Sequence, residues 1–262
     1  MTRLLSAIVL LIVVVGTIWF LPPLATLALA VVGAVLAFVE YARLAAALGA
    51  QVPRVFAGAA VASVCVAVGS AAAALDVVLL TALIVLGAMA VAAAQPGPQV
   101  LRDAAAALWA VVYIGMPLGT LAAIRLLDGR EAVLLLMAAI VVSDSAQYYC
   151  GRAFGRRPLA PTVSPKKTVE GAIGGCLFGA AAMTVGAAYV FPTVPAGLMV
   201  IVSTAVVLLG IVGDLFESLL KRSAGVKDSS GLIPGHGGVL DRIDSWLFAG
   251  PLFYIFTRYL QG

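Results

Sequence analysis

The chain has 262 residues, of which 63% are hydrophobic and only 11% charged, and its mean hydropathy is +1.13. Soluble domains are about half apolar, so this composition excludes one and requires an integral membrane protein. A net charge of +4 in such a chain speaks first to topology; a single His and three Cys without a Cys-x-x-Cys pair exclude a structural zinc site.

Apolar runs follow one another at about 4–20, 24–39, 55–75, 77–94, 104–127, 132–149, 171–191, 196–220 and 243–260. They predict an all-α, polytopic membrane bundle of about nine transmembrane helices, in one membrane-embedded domain over 1–262. No alternating strand pattern supports a β-barrel. The first run, after Arg3, ends at Pro22-Pro23 without a small-residue cleavage site and reads as an uncleaved span. The second is short enough to read also as interfacial. Only Asp76 marks the junction between the third and fourth. Cys65 and Cys176 lie in apolar runs, as small core residues do. Abundant Gly and Ala suit helices packed through small faces.

With the N-terminus placed in the cytoplasm, only Arg125, Arg130 and Arg258 of the 16 basic residues fall on the opposite side. This positive-inside bias predicts a multi-pass protein of the cell inner (plasma) membrane, with loops 150–170 and 221–242 facing the cytoplasm. The first 142 residues read as scaffold, and 143–262 as the half that holds the motifs described next.

The polar residues of that second half gather in short clusters. Asp144 and Tyr148 stand at i and i+4 near the cytoplasmic end of the sixth run, before Gly151-Arg152 and Gly155-Arg156-Arg157. A lone Asp at a membrane edge is costly and so suggests a use. Ser164-Pro-Lys166-Lys167-Thr168-Val-Glu170-Gly171 follows. Thr168 is placed to N-cap the seventh run, with Glu170 as its first-turn acid. Lys166 and Lys167 serve equally as topology signals or as phosphate contacts.

Asp214, Glu217, Ser218 and Lys221 are spaced i, i+3, i+4 and i+7, so one helical face carries them to the cytoplasmic edge. They read either as an intrahelical charge network or as a cation-binding carboxylate below basic residues. Gly210 and Gly213 allow a backbone or a ligand to come close to Asp214. After Arg222, Lys227 and Asp228 comes Gly235-His236-Gly237-Gly238, a flexible loop whose amides can reach phosphate oxygens. Asp241 and Asp244 then straddle Arg242 on one face of the last run. Hard carboxylate oxygens beside phosphate-binding bases suit Mg²⁺, with Asp214 and Asp241 as the main ligands.

Together, the Ser-Pro-Lys-Lys-Thr-x-Glu-Gly segment and the run Ser218 to Asp244 resemble the signatures of the phosphatidate cytidylyltransferase family, also called CDP-diacylglycerol synthases. The resemblance runs from about Ser143 onward; Gln147 stands where a small residue is expected. It implies transfer of CMP from CTP to phosphatidic acid with Mg²⁺, and leaves a second cation and a homodimer open. Within that reading, Asp144, Lys167, Lys221, Arg222, His236, Asp241 and Arg242 are candidate catalytic residues. Ser164, Lys166, Lys167, Ser218, Lys227, Asp228, Gly237, Gly238 and Asp244 are candidate substrate contacts, and Asp144 joins Asp214 and Asp241 around the metal. Membrane lipid and CTP are the expected partners, and nucleic acid is not. A cytidylyltransferase acting on another lipid phosphate, such as an ether-linked one, remains the alternative. A transporter fits less well, because the charge lies at one membrane face and no pair of broken inverted-repeat helices is seen.

Overall fold

Each apolar run contains a helix in the computed structural model, which describes residues 2–71, 74–93 and 96–259, with side chains from residue 5 onward. The side chain of Arg3, and the ends of expected runs at 94 and 260, lie outside the described residues. The chain divides into two compact units: Met1–Leu126 with Leu220–Arg242, and Leu127–Leu219 with Ile243–Gly262. The segment 220–242, read above as part of the half that holds the motifs, therefore groups with the N-terminal helices.

The first unit begins with α1 (Thr2–Phe20), α2 (Pro23–Ala47), α3 (Arg54–Gly69) and α4 (Leu75–Ala92). Then α5 (Gln99–Ala110) passes through a π-helical turn, Val111–Gly115, into α6 (Met116–Leu127). Proline at the first position starts α2, where its missing N–H costs nothing. The carbonyls ending α1 are met by Arg125, whose Nε donates to Ile18 O at 3.1 Å. A Cβ added at Gly115 would sit 2.7 Å from Val61 O, so only glycine lets α3 lie against the π turn. Tyr41 of α2 donates to Ala106 O at 3.0 Å and packs beside Tyr113.

The second unit begins with α7 (Gly129–Phe154) and an antiparallel hairpin, β1 (Pro158–Ala160) and β2 (Ser164–Thr168), in which Pro158 pairs with Thr168 and Ala160 with Ser164. The expected helical fold is thus interrupted by one small two-stranded element, and the Ser164–Thr168 motif is a strand where a loop was read. Next come α8 (Val169–Val190) and α9 (Ala196–Ser223), whose last turn belongs to the first unit, and α10 (Leu240–Tyr259). Thr168 caps α8 as expected, its Oγ1 accepting from Gly171 N at 3.1 Å. Helices α7 and α8 pack through small residues: a Cβ at Gly171 would lie 2.7 Å from Gln147 O, and one at Gly179 2.8 Å from Ser143 Cβ. Phe191, Phe253 and Phe256 stack edge and face at the far end.

Among the described residues six helices are long and apolar enough to cross a membrane: α2, α4, the continuous Gln99–Leu127 helix, α7, α8 and α9. An all-α polytopic membrane protein follows; the expected count of nine spans is not confirmed among the described residues. The run Leu5–Phe20 and α3 are apolar but shorter, and α10 carries Asp241, Arg242 and Asp244 at its start. The second run, read as short, instead continues to Ala47 and is one of the six. Large apolar side chains such as Ile84, Val91 and Ile201 point outward, as lipid-facing residues do.

Candidate active site

In the first unit, the end of α9, the loop after it and the start of α10 are joined by charge. Lys221 Nζ donates to Asp241 Oδ1 at 2.6 Å, with side-chain exposures of only 11% and 4%. Asp241 Oδ2 accepts from Ser229 N at 3.0 Å, Ser229 Oγ at 2.9 Å and Gly238 N at 2.7 Å. One carboxylate thus holds α9, the loop and its own helix start together. Gly237 and Gly235 take positive φ, 80° and 78°. A Cβ at Gly238 would run into Ser229 Oγ and Glu40 Oε2, so glycine there is a steric requirement. The Gly238 amide, expected to face phosphate, is here given to Asp241.

Sequence reasoning missed the residue on the other side of this loop. Glu40, on α2, is buried at 2% exposure. Its Oε1 accepts from Ser230 Oγ at 2.6 Å and Val239 N at 3.0 Å; its Oε2 accepts from Leu240 N at 2.8 Å and lies 2.9 Å from Ser229 Oγ. It supplies the N-cap of α10 from a helix some two hundred residues away. The signal that would have found it is an acid inside an apolar run, which deserves a functional reading by default.

The remaining loop residues are more open. His236 Nδ1 is 2.8 Å from Ser6 Oγ, which also lies 3.0 Å from Pro234 O. Arg222 is exposed and donates to Val226 O at 3.0 Å. Lys227, Asp228 and Arg242 are exposed as well, and the two bases among them suit contact with a soluble anion.

In the second unit the hairpin aims its lysines by strand alternation. Lys166 is exposed, while Lys167 turns to the other face and forms an ion pair with Asp214 of α9. Ser164, half-buried, opens the strand opposite Ala160. Glu170 Oε2 accepts from the Arg156 and Arg157 amides at 3.0 and 3.2 Å, fixing the turn that leads into the hairpin. Asp144 Oδ1 accepts from Gln147 Nε2 at 3.1 Å, so the unexpected Gln147 orients that carboxylate. A Cβ at Gly213 would sit 2.5 Å from Asp244 O, so the close neighbour beside Asp214 is the α10 backbone. Asp244 Oδ1 accepts from Ser245 N at 2.7 Å. Glu217 is buried on α9, with Ser218 half-buried beside it.

Two carboxylates, Asp214 and Asp241, are each balanced by a lysine ammonium. Their hard oxygens suit Mg²⁺, which would replace the ammonium as counter-charge. On Asp241 that exchange is open at Oδ1, because Oδ2 is committed to the loop amides. Among the described residues no three His, Cys, Asp or Glu side chains cluster as a metal cage. Mg²⁺ needs no such cage, since it takes one or two carboxylates and completes its shell with water and phosphate.

A family model described as "Cytidylyltransferase family" matches residues 1–260. A phosphatidate cytidylyltransferase of Bacillus subtilis (strain 168) is 39% identical over 147 residues, 55% of this chain and 55% of that protein. One from Haemophilus influenzae is 48% identical over 134 residues, 47% of this chain and 45% of that protein. One from Aquifex aeolicus is 40% identical over 125 residues, 47% and 46%. The chain spans about half the length of the curated relatives it matches.

Proposed function

This chain belongs to the cytidylyltransferase family, and from that premise we propose that it is a phosphatidate cytidylyltransferase. It converts CTP and phosphatidic acid into CDP-diacylglycerol and pyrophosphate at the cytoplasmic face of a bacterial-type inner membrane. The observation that carries this reading is the family match over residues 1–260, which includes both lysine-rich motifs.

An oxygen of the lipid phosphate attacks the α-phosphorus of CTP. A new P–O bond forms, the α–β anhydride bond breaks, and pyrophosphate leaves with that electron pair. No covalent protein intermediate is required. The task is to hold two anions together and to neutralise charge on the phosphoryl oxygens. Half-buried Lys167 and buried Lys221 carry positive charge for this, and exposed Arg222, Lys227 and Arg242 draw in the triphosphate. Asp214 of the second unit and Asp241 of the first are the candidate Mg²⁺ ligands, with Asp144 a further candidate, and the ion would supply charge neutralisation on the triphosphate. The His236 side chain and the Gly237 amide contact phosphate oxygens, and Ser164, Lys166, Ser218, Asp228 and Asp244 border the substrates. The test is CDP-diacylglycerol formation by purified protein given CTP, phosphatidic acid and Mg²⁺, with and without chelator.

A further inference from the structure

We propose that Glu40 is a positioning residue for this reaction: from α2 it holds the loop 229–240 and the start of α10 in the arrangement that presents Asp241 and Arg242. The inference rests on the cytidylyltransferase reading and assigns a role to the N-terminal helices that their sequence, apolar apart from scattered charges, does not suggest.

Glu40 lies within a 25-residue apolar helix and is 2% exposed. An acid buried there needs compensation. It receives that from the loop: the hydroxyl of Ser230 and the amides of Val239 and Leu240 all donate to it. Those amides belong to the residue just before α10 and to its first residue, where no intrahelical acceptor exists. Without Glu40 the buried Leu240 amide and the part-buried Val239 amide would lose these partners. The same carboxylate shares Ser229 with the active-site Asp241: Ser229 Oγ is 2.9 Å from both Glu40 Oε2 and Asp241 Oδ2. A hydroxyl has one proton, so it satisfies one carboxylate at a time and ties the two together. Glu40 touches neither Lys221 nor Arg242 by any of these bonds; it acts on them through the loop.

Glu40→Gln keeps shape and removes the charge. The carboxamide has one acceptor oxygen, so its NH₂ must face either the Val239 or the Leu240 amide. A serine hydroxyl can turn to accept from NH₂, whereas a backbone N–H cannot. One amide at the start of α10 then loses its acceptor and the loop loosens.

The experiment uses the full chain, purified in detergent, with Cys65, Cys150 and Cys176 replaced by Ala. One nitroxide label sits at Leu232→Cys in the loop, 54% exposed, and a control label at Val55→Cys on α3, 78% exposed. Glu40→Gln is expected to mobilise the label at 232 and leave that at 55 unchanged. Its kcat should fall about tenfold or more, with the KM for CTP and for phosphatidic acid within about twofold. Ser230→Ala, which removes one hydrogen bond and keeps the charge, should move both readouts the same way by a smaller factor, and it decides the matter if Glu40→Gln does not fold. An unchanged spectrum at 232, equal loosening at both labels, or an unchanged kcat each overturns the proposal. If the parent protein makes no CDP-lipid, the cytidylyltransferase reading fails, and the two labels still report whether Glu40 holds the loop.

Discussion

Replacing Asp241 by Asn isolates what the Lys221–Asp241 pair does. The pair is nearly buried, with Nζ and Oδ1 2.6 Å apart. Removing one partner of a buried pair leaves the other charge uncompensated and costs about 3–5 kcal/mol. The Asn NH₂ must also face either the Lys221 ammonium or the amides of Ser229 and Gly238, since all are donors. Taking about 3 kcal/mol, and about 2–4 °C per kcal/mol for a chain of this size, the melting temperature in detergent should drop by about 6–12 °C. Turnover should be lost. Lys221→Met alone should destabilise similarly, and the double variant by less than the sum, with a coupling of about 1–3 kcal/mol. Stability then returns in part while activity does not. Thermal melts of the four proteins in one detergent measure this. A shift below 1 °C for Asp241→Asn, or strict additivity in the double variant, would refute the pairing argument.

Lys167→Ala should lower kcat/KM roughly ten- to a hundredfold, the loss of one charge-assisted contact, whereas exposed Arg157→Ala should change it little; steady-state kinetics with each substrate varied compares them. Gly238→Ala places a methyl against Ser229 and Glu40, so it should destabilise the protein by about 1–3 kcal/mol and lower activity, read by melting and turnover; a wild-type melt would show that the loop yields freely. A single cysteine at Leu232, in a chain lacking the other three, should react with an impermeant reagent only after cells are opened; labelling of intact cells would invert the topology.

The helices were legible because their signal is local: apolar runs bounded by Pro and charge. The Thr168 cap was legible for the same reason, since the cap and its amide lie three residues apart. Span length was less so. Charge was read as a boundary, yet α2 continues through Glu40 and Arg43, because tertiary hydrogen bonds satisfy the acid inside the helix. The reverse holds at the last run, where Asp241, Arg242 and Asp244 are helical but polar. Pairing across the fold was not legible at all. Nothing in the spacing joins Lys167 to Asp214 or Glu40 to Leu240, since those bonds exist only after the helices pack. The glycines show the same limit. Gly238 suggested a phosphate cradle, and in the structure its missing side chain makes room for the Ser229 hydroxyl and the Glu40 carboxylate.

The central claim is that this chain moves CMP from CTP onto a lipid phosphate. Purified protein in mixed micelles with phosphatidic acid, Mg²⁺ and CTP labelled at the α-phosphorus tests it directly. The label should enter the lipid fraction in step with pyrophosphate release, and both should stop with chelator or with Asp241→Asn. Pyrophosphate released equally without lipid, or no label in the lipid from protein that melts as a folded chain, would contradict it.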